Sequence, residues 1–406
     1  MKSASNFLLA SRQCEIAELE QLARTGELVS VIGRFIHALQ RERGLSNVFL
    51  GSQGARYGAQ RVAQVAACQA SEREVRTHFS LLDTHPGHLR NGSRLFNSVA
   101  LALHAMDGLD EIRERVSQRA LLPAEATAAY GRLIAALLAV VFEAADSATD
   151  PEISRALVAL LNFMQGKEFA GQERAFGARV FSARAIDAAG QQHWRHLMDS
   201  QRACFQVFAD FSDAEIQQAE LASQNPAVDA QIEQLRRLGC QSRHGALDDF
   251  SDDWYEACTR RIDAMKLVED FLAVHLRSLC ARRIGQAQAE LRDQRATLDA
   301  LLNQVAPVSS ATTTLGPHLE RSVLTMVQAQ SRRLQEMSDE LESVRASLQE
   351  RKLIERAKGL LMAHRQMSEE EAYKALRQLA MNQNRRLVDV ASALLSLADV
   401  LPSGAR

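Results

Sequence analysis

The stretch RKLIERAKGLLMAHRQMSEEEAYKALRQLAMNQNRRLVDVASALL, residues 351–395, closes the chain, and the reading of everything upstream follows from it. Leu353, Ile354, Ala357, Leu360 and Leu361 recur at helical spacing and the run ends near residues 364–366, so one amphipathic helix is expected there. Ser368 followed by Glu371 makes a capping box, in which the serine oxygen accepts from an orphan first-turn amide while the glutamate reaches back to the cap. A second helix therefore starts at Ser368, with Ala372, Tyr373, Leu376, Leu379 and Ala380 on its apolar face. The polar NQNRR at 382–386 interrupts the pattern before Leu387, Val390, Ala391, Leu394 and Leu395 resume it. Three short helices of this kind close one small core.

Charge separates the segment from an ordinary bundle. Between Arg351 and Arg386, nine Lys or Arg stand against four Glu, a local excess of five in a chain whose formal net charge is −2. Nucleic acid is the partner that rewards such a patch, through phosphate neutralisation and counterion release. A solvated bundle face balancing an acidic neighbour has the same composition.

The runs Ala357-Lys358-Gly359-Leu360-Leu361-Met362, Ser368-x-x-x-Ala372-Tyr373-x-x-Leu376-Arg377, Ala380-Met381 and Asn384-Arg385-Arg386-Leu387-x-x-Val390-Ala391 together resemble an ANTAR domain. The resemblance implies binding to paired short-loop hairpins in a nascent leader RNA, with an antiterminator hairpin stabilised at the expense of a terminator. At the matching positions, Lys358, Arg377, Arg385 and Arg386 are the expected phosphate or loop contacts, and Ala357, Gly359 and Ala380 are places where a helix or an RNA backbone comes close. Tyr373 has two readings, a ring that stacks on an unpaired base or a core side chain.

Composition bounds the rest. With 406 residues, 46% hydrophobic and seven prolines, the chain has material for two or three domains. Few stretches alternate with strand period, so an all-α protein is expected. The longest uncharged apolar run, Leu133 to Phe142, is shorter than the ~20 residues a bilayer requires, and the N-terminal residues lack a signal-peptide pattern. Six cysteines without a CxxC pair fit reduced packing thiols in a cytosol. His85 with His88, and His193 with His196, lack the further ligands of a metal site. No nucleophile elbow, HExxH or phosphate loop is present, so neither catalysis nor a cofactor is expected.

A first long helix is expected from about Glu27 to Ala55, with Leu28, Val31, Ile32, Phe35, Ile36 and Leu39 on its buried face. Arg43 continues that stripe, beside Gly44. A buried guanidinium needs an anionic partner, and a salt bridge to some glutamate meets that need as well as a ligand does. The three glycines in 51–64 fit a helix interruption.

A second Gln-Glu-Arg cluster beside glycine, Lys167-Glu168-x-x-Gly171-Gln172-Glu173-Arg174-Ala175, repeats the theme of Leu39-Gln40-x-Glu42-Arg43-Gly44-Leu45-Ser46. With Trp254-x-x-x-Cys258-Thr259-x-x-Ile262-Asp263-x-x-x-x-Val268-Glu269, these motifs resemble the NIT domain, a helical nitrate- and nitrite-sensing module. What this implies is packed helix bundles and a small planar oxyanion as ligand. The planar two-donor edge of a guanidinium suits such an anion better than an ammonium. Arg43 and Arg236 carry over as the leading anion contacts; Arg174 is a third, with an internal salt bridge to a neighbouring glutamate as its alternative.

Val323, Val327, Gln330, Leu334, Met337, Leu341, Val344 and Leu348 step by four and three, a heptad seam expected to form a dimeric coiled coil in which Gln330 sets register. A single long helix packed on its own sensor is the other reading. The expected organisation is a lead-in at 1–26, a sensor at 27–306, a linker at 307–317 and an ANTAR-like domain at 318–402, with coiled coil over 318–350 and three-helix bundle over 351–398. The whole reads as a cytoplasmic homodimeric regulator that senses nitrate or nitrite and acts on leader RNA, with no membrane and no DNA as partner. In the expected mechanism, sensor helices cover part of the basic surface until the anion binds. The alternative is a cytosolic ligand-sensing adaptor acting through protein contacts of its coiled coil.

Overall fold

The computed structural model describes residues 4–82, 92–241, 248–304, 316–365, 367, 369–383 and 385–400, and among these every regular element is helical. The chain divides into two compact units, Met1–Leu334 and Gln335–Arg406. The all-α expectation holds.

In the first unit, α1 (Ala4–Gly51) is the shared element. Val29, Ile32, Phe35, Ile36 and Leu39 are fully buried, because α1 is covered on more than one side. It packs against α2 (Gly58–Ser80) and α5 (Pro123–Asp146), and also against α6 (Pro151–Ala183) and α10 (Ser251–Gln304). One bundle is completed by α3 (Gly92–Asp107) and α4 (Leu109–Ser117), the other by α7 (Ala188–Phe211), α8 (Ala214–Ser223) and α9 (Pro226–Gln241). Pro123 and Pro151 each occupy a first helical position, where a missing N–H costs nothing. Asp150 caps α6 by accepting from the Ile153 amide at 3.0 Å, and Arg283 of α10 donates to the other oxygen of the same carboxylate at 2.6 Å.

The first helix starts at Ala4 rather than near Glu27, since Leu8, Leu19 and Leu22 are also buried. It stops at Gly51, and the chain then turns through Gln53, Gly54 and Tyr57, all at positive φ. The glycine-rich stretch is where the helix ends. Helix α5 is apolar and long enough to cross a bilayer by composition, yet Tyr130, Leu133, Ile134, Leu137 and Val141 are buried within its bundle.

Helix α11 (Gly316–Arg365) contributes to both units. Within the first, Gln330 donates to Ser11 at 2.9 Å, and Arg333 pairs with Glu15 at 3.2 Å and with Glu290. At Gln330 the heptad seam thus meets the chain's own α1; Val327 and Leu334 of the seam stay exposed, while Leu341, Val344 and Leu348 are buried. In the second unit, Ala357 and Leu361 of α11, Ala372, Leu376 and Ala380 of α12 (Glu369–Gln383) and Val390, Ala391 and Leu395 of α13 (Leu387–Val400) form one core. Each fully buried leucine there contributes ~1.5–3 kcal/mol. The expected capping serine Ser368, the pair His85 and His88, and linker residues 307–315 lie outside the described residues.

Candidate functional site

The two Gln-Glu-Arg motifs face each other. Arg43 on α1, 1% exposed, reaches Glu168 on α6 through both terminal nitrogens, at 2.6 and 3.2 Å. Gln40 and Gln172 each donate to the same carboxylate at 2.9 Å, so Glu168 accepts four hydrogen bonds. Helical glycines make this approach possible: a Cβ on Gly171 would lie 2.6 Å from Arg43 Nη2, and one on Gly44 would lie 2.7 Å from Arg174 Nη2. Each helix therefore carries a glycine that admits the other helix's arginine. That answers why arginine sits beside glycine in both motifs.

Arg174 has a different environment. Its guanidinium donates to Thr259 Oγ1 at 2.9 Å and to the Gln40 carbonyl at 3.3 Å, and lies over the Tyr255 ring at 5.0 Å. Among the described residues no carboxylate pairs with it. The salt bridge expected as its alternative is made by Arg43 instead.

Arg236 on α9 belongs to a second node. It grips Glu173 through Nε at 2.7 Å and Nη2 at 2.5 Å, and donates to Glu233 at 2.6 Å. Trp194 Nε1 and Gln201 Nε2 also donate to Glu173, at 2.8 and 2.7 Å. Burial pushes the Glu173 carboxyl up, but Arg236, Gln201 and Trp194 together hold it below the usual carboxylate range. Glu168 and Glu173 are five residues apart, roughly 140° around α6 at 3.6 residues per turn. Arg43 and Arg236 accordingly share no hydrogen-bond partner among the described residues. The aromatic core behind this node is tight, with Trp194 and Trp254 edge to face at 5.2 Å and glycines 239 and 177 under their rings.

Lys167, beside Glu168, is fully buried with Glu269 at 2.5 Å, and Lys266 also donates to Glu269 at 3.0 Å. Burial first, then the nearby Lys167, Lys266, Arg41 and Arg174, lower the His37 pKa to about 2. Gln201 and His37 lie outside the quoted motifs, and Tyr255 fills an unspecified position of Trp254-x-x-x-Cys258, so spacing singles out none of the three.

On the second unit, Arg377, Arg385 and Arg386 are exposed, whereas Lys358 is 7% exposed and donates to Glu355 at 2.9 and 3.0 Å. Arg386 also reaches Glu350 at 3.4 Å and Asp389 at 3.3 Å. Tyr373 is half-buried. Ala357 and Ala380 are core residues, while a Cβ on Gly359 would meet nothing within 4 Å.

Residues 34–277 match the family described as nitrate and nitrite sensing (NIT), and residues 342–395 match the ANTAR domain. The nitrate regulatory protein of Klebsiella oxytoca is 34% identical over 393 residues, spanning 97% of this chain and 94% of that protein. The solved structure of the NasR transcription antiterminator superposes with a TM-score of 0.61 at 32% identity, over 96% of this chain and 98% of that one.

Proposed function

The chain belongs to the nitrate- and nitrite-sensing NIT family and carries an ANTAR domain, and from that premise we propose that it is a nitrate- or nitrite-responsive antiterminator that binds paired leader-RNA hairpins and prevents termination when the anion is bound. The observation that carries the reading is the reciprocal packing of Arg43 and Arg174 against Gly171 and Gly44, two guanidiniums brought together where α1 crosses α6. Arg43 and Arg174, with Arg236 at the second node, are the proposed anion contacts. An oxyanion presents the same planar oxygen edge as Glu168, so it competes with that carboxylate for Arg43 and alters how α1 sits on α6. In the RNA-binding role, Arg377, Arg385 and Arg386 supply phosphate contacts, with Lys358 and Tyr373 as further contacts.

Coupling needs only that the anion binds better to the conformation that binds RNA; the RNA then raises anion affinity by the same factor. The sensor is taken as 27–306, the linker as 307–317 and the RNA-binding part as 318–402. Self-association through the heptad seam of α11, on which Val327 and Leu334 are exposed, gives a cytoplasmic homodimer.

The test is fluorescence anisotropy of a labelled two-hairpin leader RNA with the full-length protein, titrating nitrate against chloride at constant ionic strength, because phosphate contacts alone make binding salt-dependent. Nitrate-specific tightening is expected. RNA affinity that ignores nitrate, with an oligomeric state that follows it, would point instead to a ligand-sensing adaptor acting through α11.

A further inference from the structure

A cleft of about 750 Å³ opens beside the second node, and Arg261 of α10 lines it together with Arg236 and Gln201. The two arginines are neutralised very unequally. Arg236 holds Glu173 and Glu233 at 2.5 to 2.7 Å. Arg261 has Asp229 at 3.7 Å and the Gln201 Oε1 at 3.3 Å, and that same oxygen accepts from Arg236 at 3.4 Å. Two guanidiniums thus converge on one amide oxygen, and only one of them has a close carboxylate. Burial, then the charge of Arg236, disfavour the cationic form of Arg261. A guanidinium cannot shed its proton in a protein, and Glu173 and Asp229 offset the penalty only in part, so a further anion is favoured there.

We propose that Arg261 is an anion-coordinating residue of the sensor, receiving a small planar oxyanion, nitrate or nitrite, from the cleft between α7, α9 and α10. This rests on the nitrate- and nitrite-sensing reading above. The side chain is 23% exposed, enough for the anion to reach it from solvent. An anion on Arg261 draws it away from Gln201 Oε1, and Gln201 also donates to Glu173, so occupancy of the cleft is passed to the buried Arg236 node and to α6. Cleft carboxylates Asp229, Glu233 and Glu220 oppose the anion, and Arg202 and Arg260 favour it.

Calorimetric titration of the full-length protein with sodium nitrate, against sodium chloride at the same ionic strength, tests this. Arg261→Gln is expected to weaken nitrate binding by about tenfold or more, the loss of one charge-assisted contact, with little change in the thermal midpoint in chloride. Arg261→Lys, which keeps the charge but not the planar edge, is expected to fall between. If Arg261→Gln binds nitrate as the wild type does, the proposal is overturned while the sensor reading stands; if the wild type takes up no nitrate, both fall. Should Arg261→Gln not fold, Asp229→Asn decides. That change removes the competing carboxylate and is expected to tighten nitrate binding several-fold; unchanged or weaker binding overturns the proposal.

Discussion

Removing the Arg43 guanidinium leaves Glu168 buried with only Gln40 and Gln172 as donors. Arg43→Ala is therefore expected to cost about 3 kcal/mol of stability as well as the nitrate response, because a buried charge loses its partner. Arg43→Gln paired with Glu168→Gln is expected to recover most of that stability without recovering the response, as read by urea denaturation and nitrate titration. A double variant that still responds to nitrate would remove Arg43 from the site. His37 sets a pH dependence. Its folded pKa of about 2 lies below the ordinary 6.5, so the unfolded chain takes up a proton as pH falls below about 6.5 while the folded one does not. Stability should then fall toward acid by up to about 1.4 kcal/mol per pH unit between pH 6.5 and 5, and His37→Gln should flatten that slope in denaturation series. Glu173, held low by its donors, keeps its contribution until pH drops through the acid end of the carboxylate range.

At the scale of elements, glycine has two different meanings here. Gly44 and Gly171 are required by packing, since an added Cβ would meet a guanidinium at 2.7 and 2.6 Å. Gly359 is not required by any contact within its own helix bundle, and in a helix interior it is destabilising by roughly 0.5–1 kcal/mol relative to alanine. Gly359→Ala is accordingly expected to stabilise the second unit by about that amount and, with an RNA backbone lying against this face of α11, to weaken RNA binding. Thermal melts paired with anisotropy separate the two effects; a stabilised variant with undiminished RNA affinity would show that RNA does not approach there.

For the molecule as a whole, α1 is the element through which one bundle feels the other. Adjacent residues on it are committed to opposite partners: Glu42 takes Arg113 at 3.0 Å and Tyr130 at 2.8 Å in one bundle, and Arg43 takes Glu168 at 2.6 Å in the other. A shift of α1 at Arg43 therefore moves a buried ion pair on its other side. At the RNA end, sensing and electrostatics are separable by salt. Arg377→Ala is expected to lower the slope of log K against log salt by roughly one and to leave nitrate affinity of the free protein unchanged. A slope equal to the wild type's would take Arg377 out of the phosphate contacts.

Helical class, the small three-helix core, the two modules and the pairing of arginine with glycine were all readable from the chain, because periodicity and motif spacing are local. Leu353 to Leu395 needed no partner outside that segment to declare their core. The tertiary structure alone decided which carboxylate each arginine takes, that among the described residues Arg174 and not Arg43 lies without one, that Arg43 and Arg236 belong to separate nodes, and that Gln330 meets Ser11. These contacts join residues as far as 319 apart in sequence, and ion-pair choice in a buried interior follows from which groups the packed helices strand together away from water, a quantity no local pattern carries.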